Sequence, residues 1–116
     1  MAVIAPVLQR NADGIPHIHW TGMASGDTAT AYPIQGGLGQ FAAASIGGTF
    51  GTATITLEVS QNGVNFYPLK DRNGTNISTT AAALFEFGTA AMYIRPVVTG
   101  AGATVSVIMT LRGPAG

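Results

Sequence analysis

Alternation of apolar and polar positions with a period of two dominates the second half of the chain. In TATITLEVS (52–60), Ile55, Leu57 and Val59 fall on one side, and Thr54, Thr56, Glu58 and Ser60 on the other. Successive strand side chains point to opposite faces, so this stretch predicts a strand with one buried and one solvated face. ATVSVIMTLR (103–112) repeats the pattern, with Val105, Val107, Met109 and Leu111 inward and Thr104, Ser106, Thr110 and Arg112 outward. MYIRPVV (92–98) sets Met92, Ile94 and Val98 against Tyr93 and Arg95, and ALFEFG (83–88) sets Phe85 and Phe87 against Glu86. HIHW (17–20), DTATAYPIQ (27–35) and GQFAAASIG (39–47) read as shorter or edge strands. No stretch keeps a helical period for two turns.

Seven or eight strands, divided by turn signals about every 8–15 residues, predict an all-β fold: a single-domain antiparallel β-sandwich or jelly roll. Asn62-Gly63 predicts a two-residue hairpin, because Asn then Gly tolerates positive φ at both central positions at least cost. Asn73-Gly74 marks a further turn. Pro68 cannot donate to a ladder, so 64–70 is expected to be an edge strand or to carry a bulge. Residues 1–14 have no period, contain Pro6 and Asp13-Gly14, and are expected to form an extended arm outside the sandwich. The sandwich domain is then 15–112, and 113–116 is a tail.

Charge changes the picture most. Only 9% of the residues are charged, against about 25% in ordinary soluble domains. Gly, Ala, Thr and Ser fill roughly 45% of the positions. Such a surface has little charge repulsion to keep copies apart and little side-chain entropy to lose on contact, so it suits coverage by other subunits. A net charge of zero argues against binding nucleic acid through phosphate neutralisation. No apolar run approaches the roughly 20 residues of a membrane-spanning helix. The N-terminal MAVIAPVLQR lacks the basic start and apolar run of a secretory signal, and there is no cysteine for a disulfide or thiolate site.

Candidate chemistry is thin. His17 and His19, at i and i+2, project from one strand face, but two ligands do not make a metal site, and Asp13 and Asp27 lie in loops. Glu58 and Glu86 fall on outward positions of regular strands, where partnership with Arg95 and Arg112 is expected over acid–base work. GGLG (36–39) and GGTF (47–50) lack the lysine and the strand–loop–helix setting of a phosphate loop. No nucleophile elbow occurs, and the sequons at Asn73 and Asn76 are matches that a Thr-rich chain produces by chance. The expectation is a non-enzymatic protein with no catalytic residue, cofactor or metal. Among the aromatics, Trp20 and Tyr67 are the ones considered for stacking on a sugar ring.

The stretch TITLEVSQNGVNFYPLKDRNGTNIS, then FEF, then AAMYIRPVVTGAGATVSVIMTLRG, resembles small structural proteins of tailed-bacteriophage particles. In those, a strand, a Ser-x-(Asp/Asn)-Gly turn and an aromatic–Pro-Leu hairpin precede a Tyr-Ile-Arg-Pro strand and a last Thr/Val-rich strand. The cadence is also similar to that of discoidin-type carbohydrate-binding sandwiches. The phage resemblance covers about half the chain. It implies a capsid decoration (cement) protein made in the host cytoplasm, binding the major capsid protein on the outside of the virion. Its copies are expected to associate as a homo-oligomer such as a trimer, with Val3, Ile4, Val7 and Leu8 of the arm as docking residues. The alternatives are a glycan-binding head or tail appendage and a neck or tail structural subunit.

Overall fold

The computed structural model describes residues 2–10, 16–34 and 41–112, and among them the chain is all-β with no helix. The first sheet has the order β10 (Ala83–Phe87), β6 (Phe41–Thr49), β12 (Thr104–Arg112), β3 (Pro16–Ala24) and β2 (Val7–Arg10). The second has β5 (Tyr32–Pro33), β11 (Tyr93–Thr99), β7 (Thr54–Ser60) and β8 (Phe66–Pro68). The two-residue β9 (Ser78–Thr79) shares the outer edge of β7 with β8. All pairs in these two sheets are antiparallel. A small parallel pair joins β1 (Val3–Ile4) to β4 (Thr28–Ala29).

The predicted alternation is what closes the core. Val105, Val107, Met109 and Leu111 of β12 are all buried, as are Ile55 and Leu57 of β7 and Ile94 and Val98 of β11. They form one cluster with Ile18, Trp20, Ala44 and Phe87, so the two sheets share a single core. Size is matched across strands: Phe87 stands opposite Ala42, and Phe85 opposite Ala44. Large beside small lets the layer fill without voids. Met92, grouped with Ile94 by its parity, is instead exposed, because it precedes β11.

At the end of β7, Ser60, expected outward, is buried and Val59, expected inward, is only half-buried. Two further features depart from the expected pattern. Trp20 and Met23 are three residues apart and both buried. Between Val105 and Val107 the register against β3 jumps from Met23 to Trp20, an extra residue that Gly22 accommodates at φ 68°. This bulge brings Met23 to the same inward side as Trp20. The Asn62-Gly63 hairpin forms, but as the five-residue connection 61–65 with positive φ at Gly63 and none at Asn62. Asn62 Oδ1 accepts from the amides of Val64 and Asn65, and Ser60 Oγ accepts from those of Asn62 and Gly63. Side-chain acceptors take over the role that a tight two-residue turn would play.

Proline placement follows ladder chemistry. Pro68 lies on edge strand β8, as expected, and Pro33 on edge strand β5. Pro96 is buried inside β11, yet β5 covers only Tyr93 and Ile94, so Pro96 sits where the second edge of β11 carries no ladder.

The N-terminal segment differs from the expected free arm. Val7–Arg10 is the edge strand of the first sheet, paired with His19 through Pro16, and Val3–Ile4 runs beside Thr28–Ala29. Asp27 anchors it: Oδ2 accepts from the Ala24 amide and Oδ1 from the Ala2 amide, both at 2.9 Å. The amides of Thr28 and Thr30 in turn donate to the carbonyls of Ala2 and Ile4. Strands this short, with exposed side chains, leave no burial period to read. Residues 11–14 of the expected arm, the 113–116 tail and the GGLG turn lie outside the described residues.

Two expectations follow. The amide donors of Ala24 first, then Ala2, hold the Asp27 carboxyl below its ordinary pKa of 3.8. Its stabilising effect is therefore complete above that value and is lost as pH falls through the lowered, folded pKa. Amide exchange at Thr28 and Thr30 should accelerate in that acid range in the wild type and already at neutral pH in Asp27→Asn. Unchanged exchange in the variant would remove the anchoring role.

The second concerns the turns at 50–53 and 100–103, which are clasped by Thr52 donating to Ala101 O at 2.9 Å. Gly100 has φ 105°, and a Cβ there would lie 2.7 Å from Ala53 Cα, against backbone that cannot swing aside. Gly74 also has positive φ, but with open space around it. Urea unfolding should show Gly100→Ala destabilised by at least about 2 kcal/mol and Gly74→Ala by about 1 kcal/mol. Equal losses would show that the clasp adds nothing to backbone strain.

Candidate interaction surface

The register that buries the inward residues of the first sheet also lines up its outward ones. Leu84 (β10), Ser45 (β6), Ile108 (β12), His19 (β3) and Val7 (β2) stand side by side across all five strands. At a strand spacing of about 4.8 Å that row is about 19 Å long. Leu84 is 67% exposed, Val7 54% and Ile108 38%. The adjacent row is Glu86, Ala43, Thr110, His17 and Gln9. Ser106 and Gly47 continue the face towards the other end.

Among the described residues, charge on this face is confined to one end. Glu86, Arg112 and Arg72 surround a shallow depression of about 400 Å³ with Phe41 at its side. Phe41 is itself exposed, and its ring lies 5.8 Å from the Arg72 guanidinium. The rest is aliphatic, hydroxyl, amide or imidazole. His17 and His19 touch each other there: His17 Nδ1 and His19 Nε2 are 2.8 Å apart, one nitrogen donating and the other accepting.

The second sheet presents a different outer face. Thr54, Thr56 and Glu58 of β7 stand opposite Thr99, Val97 and Arg95 of β11. Arg95 Nη2 and Nε donate to Glu58 Oε1 at 3.0 and 3.2 Å, and its guanidinium lies 3.7 Å above the Phe66 ring. The pairing of Glu58 with Arg95 is the one expected from the sequence. This pair is partly exposed and engages its charges with each other. Glu58 and Glu86 lie on outer faces of opposite sheets, so they form no carboxylate pair.

Trp20 is fully buried, and its Nε1 donates to the Thr30 carbonyl at 2.9 Å. It therefore offers no ring face to a sugar, a correction that follows from its sharing the inward parity of Ile18 in β3. Tyr67 is 65% exposed beside a groove of about 280 Å³ lined by Val59, Ser60, Gln61 and residues 89–91. Of the docking residues expected in the arm, Val3, Val7 and Leu8 are exposed, while Ile4 packs against the core. Val7 alone of these four joins the cross-strand row.

Sequence reading missed Leu84 and Ile108, although a signal was present. Both occupy outward parity in strands whose inward set is clear, and both are large and apolar where neighbours on that side are polar. Among the described residues no three His, Asp or Glu side chains converge as a metal cluster. No protein-family model matches the chain, and no curated protein or solved structure matches it.

Proposed function

We propose that this protein is a non-enzymatic structural subunit of a tailed-bacteriophage virion, a decoration protein that cements the outer surface of the major capsid lattice. The observation that carries the reading is the nearly uncharged five-strand face with Leu84, Ile108 and Val7 in one row. A flat face of this kind gains by apolar burial at roughly 25 cal/mol per Å² and has few charges to desolvate. Many copies on a symmetric lattice add weak contacts through effective concentration, and association between copies as a small cyclic oligomer uses the same surface chemistry.

The strand path supports a jelly roll. Counting β3, β5, β6, β7, β8, β10, β11 and β12 as eight strands, the first, eighth, third and sixth make one sheet. The second, seventh, fourth and fifth make the other. That order of two sheets is the one a jelly roll requires, an architecture used by viral capsid and lectin domains alike. The resemblance in residues 52–112 favours the virion reading. A glycan-binding appendage is the second reading, favoured by exposed Tyr67 at its groove. Neck or tail placement would use the same face on a different lattice.

Co-sedimentation with particles lacking the protein tests the first reading. Wild type should bind and stay bound in about 1 M sodium chloride, because exposed ion pairs are screened while apolar contacts are not. Leu84→Lys and Ile108→Lys should each weaken binding by about a hundredfold, since a lysine must be desolvated in the contact. Thr56→Lys on the opposite sheet should bind as wild type. Equal binding by all three would refute the assigned face. A glycan array on which wild type binds and Tyr67→Ala does not would replace cementing by the second reading.

A further inference from the structure

We propose that His17 and His19 form a bidentate site for a divalent first-row transition ion, with copper(II) held most tightly. The sequence offered only two imidazoles at i and i+2, and on that ground metal binding was not expected. The structure adds that the two rings are already brought together. Their centroids are 5.0 Å apart at an interplanar angle of 57°, with Nδ1 of His17 and Nε2 of His19 separated by 2.8 Å. Two nitrogens bound to one ion at about 2.0–2.1 Å lie about 2.9 Å apart at a right angle, and about 3.3–3.4 Å apart in a tetrahedron. The observed separation is close to the right-angled bite, which suits the tetragonal geometry of copper(II) or the octahedral one of nickel(II).

Rigid support makes this pair unlike two histidines on a loop. β3 is bonded to β12 on one side and β2 on the other, and Ile18 between the two rings is fully buried. That leaves side-chain torsions as the chief freedom of the imidazoles, so little entropy remains to be lost on chelation. Their strand neighbours are Thr110 and Gln9 beside His17, and Ile108 and Val7 beside His19. None of these carries a charge. The ring that donates in the hydrogen bond moves its proton to its other nitrogen through solvent, and a turn of the two rings by about 45° swings both lone pairs from each other onto the ion. The remaining coordination positions face outward, open to water or to a donor from a neighbouring molecule. The site is independent of the capsid reading, since it rests on the two rings alone.

The test is calorimetric titration of the full, untagged protein with copper(II), nickel(II) and zinc(II) salts in a non-coordinating buffer at neutral pH. One ion per chain should bind, copper most tightly by the usual order of stability. His17→Ala and His19→Ala should each lose at least about tenfold in affinity, the chelate gain, and the double variant should lose binding altogether. Paramagnetic broadening of the wild-type protein by copper should centre on the resonances of His17, His19, Thr110 and Ile108. Absence of binding at millimolar ion, undiminished binding by the double variant, or loss in one single variant only would overturn the chelate.

Discussion

Everything in this fold depends on the register of β12. It is the central strand of the first sheet, hydrogen-bonded to β6 along its whole length and to β3 on the other side. Four of its side chains, Val105, Val107, Met109 and Leu111, enter the core together. Because side chains alternate, a slip of one residue would expose all four and bury Thr104, Ser106, Ile108 and Thr110. Burying four aliphatic side chains at about 1.5–3 kcal/mol each makes that slip prohibitive. The same constraint obliges Ile108 to face outward, where it meets Leu84, His19 and Val7. Core and outer face are thus set by one decision.

That coupling explains the division of labour between the two sheets. The second sheet uses its charges on itself: Glu58, Arg95 and Phe66 form a closed cluster. A partly exposed pair of this kind is worth only about 0–1 kcal/mol and is of little use for attachment. The first sheet keeps charge at one end and leaves an apolar and hydroxyl-rich expanse free of long, strongly hydrated side chains. A partner of similar character can be met there at small desolvation cost, which is why we place the contact on this sheet.

The long strands β11 and β12 were legible because each keeps one unbroken burial parity over seven or more residues, and β7 keeps it as far as Glu58. β1 and β2 were not, because a two-residue strand and a four-residue edge strand bury almost nothing and owe their place to Asp27 and to β3. Trp20 was misjudged although its parity was plain: alternation through 17–20 sets it with Ile18 on the buried face, opposite His17 and His19, and the bulge comes only after it. The His17–His19 contact was half legible: i and i+2 on a strand predicts a shared face, but not rings in hydrogen-bond contact. Leu84 and Ile108 were readable as apolar residues at outward parity. They were overlooked because the polar neighbours on the same strands set the expectation.

On the proposed reading, the outer face of the first sheet meets the capsid. Hydroxyl-radical footprinting of free and particle-bound protein addresses it directly, since Leu84, Ile108, Phe41 and Val7 are reactive reporters on that face and Val97 and Phe66 are reporters on the other. Strong protection of the first group is expected on binding, with the second group oxidised as in the free protein. Protection of Val97 and Phe66 with Leu84 and Ile108 left open would contradict it.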